Sequence, residues 1–202
     1  MAAVAANRLM FLGVIRRHGQ AHGYRVSQEL RSWGAHEWAS VGTGSIYHAL
    51  RNLCKQGMLA AIEDSDAPEG PQRSIFQLTT AGHEEFLRLL RQAIRTADHR
   101  RDVLGAALAF MTALPRAEVI ALFRERLESL RAEYRLIAPH SEDFQAWEEF
   151  GAGHVPELFR LWMHTAASEA EWAEALIGRL TAGAYTMADD SPTAFGQPNS
   201  VG

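Results

Sequence analysis

The stretch 41-VGTGSIYHALRNLCKQGML-59 holds the residues best suited to chemistry on a polyanion. With a step of about 100° per residue, Ile46, Ala49, Leu50 and Leu53 share one face of a helix capped by Thr43 and stopped by Gly57. Gly44, His48, Arg51 and Lys55 lie opposite, Tyr47 on one shoulder, Ser45 and Asn52 on the other. The chemistry this pattern offers is binding. Gly44 and the free N–H groups of a first helical turn let a phosphate come close. Ser45, His48, Arg51 and Asn52 can donate to base edges, and Tyr47 and Lys55 suit phosphate oxygens. No acidic residue lies between Ala39 and Glu63, so nothing within this stretch repels a phosphate. The competing reading is a plain solvated helix face.

Reaction chemistry finds less support. The run 42-GTG-44 lacks the GK[ST] of a phosphate loop, and also the third glycine and preceding apolar strand of a dinucleotide fingerprint. There is no GxSxG, CxxC or HExxH. His18 and His22 are four apart, but Gly19 between them favours a turn over a rigid metal-binding face. Adjacent acids such as Glu148 and Glu149 read as a solvated surface. The chain is therefore expected to be no enzyme and to use no cofactor or metal. Its single cysteine, Cys54, cannot form an internal disulfide, which fits a reducing cytoplasm. Lying half inside the helix face, Cys54 reads as a packed thiol, with a redox switch as the alternative.

The surrounding periodicities supply a frame for this helix. Leu9, Met10, Phe11, Leu12, Val14 and Ile15 form one helix ending at His18–Gly19. The Gly-rich turn 18–23 follows, then a helix over 24–34 with Val26 and Leu30 inward. After the helix of residues 43–56, the segments 58–64 and 73–80 read as two strands around a long polar tip, 65–72. A helix over 81–96 turns Phe86, Leu89, Leu90 and Ile94 inward. Three helices, a β-hairpin and a helix are the order of a winged helix-turn-helix, whose third helix enters the DNA major groove. Arg73, at the root of the returning strand, can grip a phosphate or enter a minor groove; the acids Asp64, Asp66 and Glu69 argue against the wing tip itself lying on DNA.

The rest reads as all-helical. One helix covers 99–113, another starts near Pro115 and runs to about Ala138, and a last one spans roughly 156–181. The expected domains are 1–96, a winged helix, and 97–182, a helical dimerisation and effector domain, with a disordered tail at 183–202. The fold class is mainly α with a small β-hairpin. The charge follows this division: residues 1–95 carry 11 basic and 8 acidic groups, residues 96–202 carry 9 and 16. A basic half joined to an acidic one suits an N-terminal anion-binding surface. No apolar run is long enough to cross a membrane, and 1-MAAVAAN-7 makes a poor signal peptide.

Three motifs carry a resemblance. The segments 12-LGVIRRHGQAHGY-24, 44-GSIYHALRNLCKQGML-59 and 71-PQRSIFQLTTAG-82 are similar, in order, to those of PadR-type transcriptional regulators. The resemblance covers about residues 8–95. It implies a homodimeric winged-helix repressor reading a palindromic operator in double-stranded DNA, with Tyr24, Ser45, Tyr47 and Arg73 at positions tied to the DNA surface. His48, Arg51 and Lys55 fall at variable family positions, so their assignment rests on the helical wheel. Phe76 stands where the family often has Tyr and is assigned to the core.

One recognition helix makes too few contacts for specific binding, so two-fold pairing is expected. The last helix is the candidate dimer element, through Leu158, Phe159, Trp162, Leu176, Ile177 and Leu180, the alternative being that this stripe packs within one subunit. Trp147, Trp162 and Trp172 are candidates to line a pocket for a small aromatic effector, against the plainer reading that they are core. The alternatives for the whole chain are a winged-helix module that binds protein and an all-helical enzyme.

Overall fold

The computed structural model describes residues 2–35, 43–63, 74–142 and 153–195. They are mainly helical: α1 (Ala2–His18), β1 (Gln20–His22), α2 (Gly23–Ser32), α3 (Thr43–Lys55), β2 (Leu59–Glu63), β3 (Ser74–Leu78), α4 (Thr80–Arg95), α5 (Arg101–Phe110), a 3-10 turn (Met111–Ala113), α6 (Arg116–Glu142) and α7 (Pro156–Thr181). The strands make one antiparallel sheet in the order β1-β3-β2. The hairpin read from the sequence is thus the larger part of a three-stranded sheet. β1 hides within the Gly-rich turn because three residues show no periodicity. It is recognisable only by its pairing, Gln20 opposite Gln77 and His22 opposite Ile75. Helix order and sheet together are a winged helix.

The chain forms two compact units, one of Met1–Ile94, His99–Arg116 and Thr186–Gly202, the other of Arg95–Asp98 and Ala117–Tyr185. This division departs from the boundary expected at residue 96. α5 belongs with the winged helix because its Phe110 fills that unit's core. A β-carbon on Gly13 of α1 would sit 2.5 Å from the Phe110 ring. Trp33 and Phe86 meet the same ring edge-on at 5.5 and 5.8 Å. The tail also departs from expectation over residues 183–195. Met187 is fully buried, and the Ala188 N–H donates to the Leu114 carbonyl at 3.4 Å. Small and Gly-rich composition suggested disorder, but one buried Met and one Phe suffice to anchor a short segment. α6 runs on through Pro139 to Glu142, past the expected end at Ala138.

Local chemistry sets the exit of α3. Gly57 adopts φ +72°, its N–H bonds to the Cys54 carbonyl, and the Met58 N–H bonds to the Leu53 carbonyl. This pairing closes the helix and aims the chain into β2. Thr79, between β3 and α4, ties the junction together. Its hydroxyl donates to the Gly57 carbonyl at 2.6 Å and accepts from the Gly82 N–H at 3.1 Å, while its own N–H donates to the Met58 carbonyl at 3.1 Å. Gly82 is required by close approach, since a β-carbon there would lie 2.0 Å from the Met58 carbonyl oxygen. Backbone cannot swing aside as a side chain can. Gly82→Ala should therefore destabilise the winged helix at the upper end of the ~1–3 kcal/mol typical of overpacking. Urea denaturation checks this, and an unchanged midpoint would show that the junction yields.

The second unit is built on α6 and α7. Val119, Phe123 and Leu130 of α6 and Ala166, Ala173, Leu176 and Leu180 of α7 are buried. Among them lies Arg126, 1% exposed, whose Nε donates to Glu169 at 2.6 Å and whose Nη1 bonds to the Thr96 carbonyl.

Candidate nucleic-acid interface

α3 sorts its side chains as its wheel demands. Ile46, Leu50 and Leu53 are 2%, 0% and 4% exposed, whereas His48, Arg51 and Lys55 are exposed. Among the described residues neither Arg51 nor Lys55 has an ion-pair partner, so both charges face solvent. Asn52 does not join this stripe. It is half-buried in a groove of about 200 Å³ between α3 and α1, with Asn7, Arg8, Phe11 and Gln56 around it. Position 52 falls one step round the helix from Arg51, on the flank that meets α1.

Tyr47 and Tyr24 both lie near the start of α2. The Tyr47 ring lies directly over Gly23, so that a β-carbon on Gly23 would be 2.6 Å from its Cε1. Tyr24, 52% exposed, stacks on His22 with centroids 5.6 Å apart. His22, the N-cap of α2, makes no side-chain capping bond. Reading the sequence alone missed Gly23. The signal was there, since the glycine preceding Tyr24 and the tyrosine of GSIY are the two halves of one contact.

Other expectations are unevenly placed. Thr43, Gly44 and Ser45 form the first turn of α3, but their side chains, like Arg73 and the wing tip, lie outside the described residues. Cys54 is half-buried, and burial pushes its thiol above the usual range, away from the reactive thiolate. In the second unit the candidate dimer stripe divides. Leu176 and Leu180 are 2% and 0% exposed within a single chain. Their place at a dimer surface is therefore corrected: they are spent on the unit's own core. Leu158, Leu161 and Trp162, at 44%, 61% and 43%, are left outward on α7, Phe159 and Ile177 being half-buried. The described tryptophans of the expected pocket lie apart. Trp162 packs edge-on against Phe159 at 5.6 Å and Trp172 against Phe123 at 5.9 Å. Ten residues along one helix separate the two by about 15 Å; Trp147 lies outside the described residues. The groove that does exist there, about 250 Å³, has Leu130, Tyr134, Ala166 and Ala170 as its lining, with Arg131 and Arg135 beside them.

Residues 11–88 match the family model described as "Transcriptional regulator PadR-like family". Among solved structures the chain is similar to Bacillus subtilis PadR in complex with operator DNA, at 17% identity and TM-score 0.39, over 86% of this chain and 98% of that one. It is similar to the same protein in complex with p-coumaric acid, at 18% and 0.38, over 87% and 99%. A PadR-like transcriptional regulator from Bacillus cereus follows at 18% and 0.36, over 88% and 99%. No curated protein matches the chain in sequence. Among the described residues no helix is long and apolar enough to cross a membrane.

Proposed function

From the match of residues 11–88 to the PadR-like family of transcriptional regulators, we propose that the chain is a sequence-specific DNA-binding repressor. It acts as a homodimer on a palindromic operator, in the cytoplasm, and a small aromatic effector releases it. The observation that carries this reading is the split of α3 into an aliphatic face held in the core and a stripe of His48, Arg51 and Lys55 exposed and unneutralised.

The stripe enters the major groove. Arg51 has the planar fork that matches the O6 and N7 of a guanine, while Lys55 at the end of the helix takes a phosphate. Tyr24, Tyr47, the first amides of α2 and the first turn of α3 with Thr43, Gly44 and Ser45 hold the backbone and set the register. Arg73 adds a phosphate or minor-groove contact. Pairing of two copies uses the outward Leu158, Leu161 and Trp162, with Phe159 and Ile177 at their margins. Removing these apolar side chains from water drives association. The effector site in this reading is the α6–α7 groove: an apolar lining takes a ring, and Arg131 and Arg135 favour an anionic substituent.

Selection of bound duplexes from a random pool tests the reading. A palindrome should emerge with half-sites about one helical turn apart, 10–10.5 base pairs or a multiple. Arg51→Ala should cost about 1–3 kcal/mol on the selected site and relax the preference at one position in each half. Unchanged preference removes Arg51 from base reading, and a pool that yields no enriched sequence ends the proposal. Titrating p-coumaric acid into the operator complex probes the effector clause; a complex indifferent to it and to related phenolic acids loses that clause.

A further inference from the structure

We propose that residues 186–195 are a releasable strap on the winged-helix unit, in which Phe195 plugs a slot over Arg16 and thereby holds the α1–β1–α2 corner in its DNA-reading position. The proposal deepens the reading above and rests on it for its link to DNA.

The strap has two anchors. The near one is polar and bonded. Met187 is fully buried, the Arg116 N–H donates to Asp189 Oδ1 at 2.9 Å, and Asp190 Oδ2 accepts from the Arg116 guanidinium at 2.5 Å and from the Met187 N–H at 2.8 Å. The far anchor is a single ring. Phe195 stacks on Phe86 at 5.9 Å and meets Phe110 edge-on at 5.7 Å. Between them the bonds of residues 191–194 are local turns, such as Ala194 N–H to the Ser191 carbonyl and Thr193 N–H to the Ser191 hydroxyl. Phe195 can thus leave its slot while the near clasp stays closed.

The slot is balanced for such release. The Arg16 guanidinium lies against Phe86 at 5.0 Å and Phe195 at 5.3 Å, gaining two cation–π contacts. Yet among the described residues its buried Nη1 has no hydrogen-bond partner. Burial pulls the Arg16 guanidinium below its ordinary pKa, and burial together with the Arg16 charge does the same to His83 beside it. A partly desolvated cation with no ion-pair partner among the described residues is what the plug maintains, and water regains it when the plug leaves.

Arg16 also sits where its freedom matters. The next two residues tie α1 to α2: Arg17 pairs with Glu29 at 3.5 Å and His18 bonds the same carboxylate. β1 begins at Gln20, and Tyr24 follows two residues after it ends. A looser end of α1 therefore loosens the corner on which Tyr24 and Tyr47 stand.

Hydrogen exchange of the full chain, read alongside operator affinity, tests the strap. Phe195→Ala should speed exchange of amides 16–24 on the order of tenfold, the loss of one cation–π contact and two ring contacts, and leave α3 and β2 near wild type. Operator affinity should fall by about threefold or more through that corner, and Phe195→Leu should give the same pattern at smaller amplitude. Should Phe195→Ala not fold, Asp190→Asn opens the other anchor and should loosen the same amides. Wild-type exchange at 16–24, or uniform acceleration across the unit, overturns the strap. Local loosening in a protein that retains no operator duplex leaves the strap standing and removes DNA reading instead.

Discussion

Operator affinity should fall ~10³–10⁵-fold between about 50 and 200 mM salt, because the proposed dimer, making roughly 6–10 phosphate contacts, would release that many condensed cations. The cations responsible are specific. Lys55→Gln removes one phosphate contact per subunit, so the slope of log K against log salt should become shallower by about 1.8, twice the ~0.9 expected per phosphate. Arg51→Ala should do something different: if Arg51 is spent on a guanine, sequence preference changes more than the slope. Fluorescence anisotropy with a labelled duplex over a salt series separates the two. Binding indifferent to salt would mean that the exposed stripe of α3 meets a protein, the main rival reading of a winged helix with an acidic wing tip.

The second large effect lies in the helical unit. Glu169→Ala should destabilise that unit by about 3–5 kcal/mol, since it strands the guanidinium of Arg126, 1% exposed, without its carboxylate. The Thr96 carbonyl is a neutral acceptor and does not replace the lost carboxylate charge. The double replacement Arg126→Met with Glu169→Leu should cost far less, because it removes both the charge and its need. Chemical denaturation followed by tryptophan fluorescence reads the helical unit through Trp172, which packs on Phe123. A loss below about 1 kcal/mol in Glu169→Ala would show that water reaches the pair and screens it.

The winged helix was legible in the residues because its elements carry their own punctuation. Gly57 ends α3 where an αL cap is needed, Thr79 precedes α4, and the apolar stripes of α3 and α4 are regular. The stripe of His48, Arg51 and Lys55 followed from the same regularity. What stayed hidden was non-local. β1 is three residues whose only justification is its partner β3. α5 looks like any apolar helix until Phe110 meets Gly13, a contact spanning almost a hundred positions. Which residues of α7 are left outward was hidden for a related reason. A broad apolar stripe on α7 cannot announce which of its residues face the chain's own α6 and which face outward. Leu176 and Leu161 are equally apolar; only the fold assigns one inward and the other to solvent. The strap defeated composition outright, because two large side chains among small ones decide the matter.

The knot at Thr79 has a consequence for how sequence is read. The end of α3, the root of the sheet and the start of α4 share one hydroxyl and one pair of carbonyls, so in the proposed complex α3 and the root of the hairpin would meet the duplex as one stiff piece. A reader that does not bend obliges its target to do so. Operators would then differ in strength at steps no side chain touches, according to how cheaply their stacked pairs roll and twist to fit.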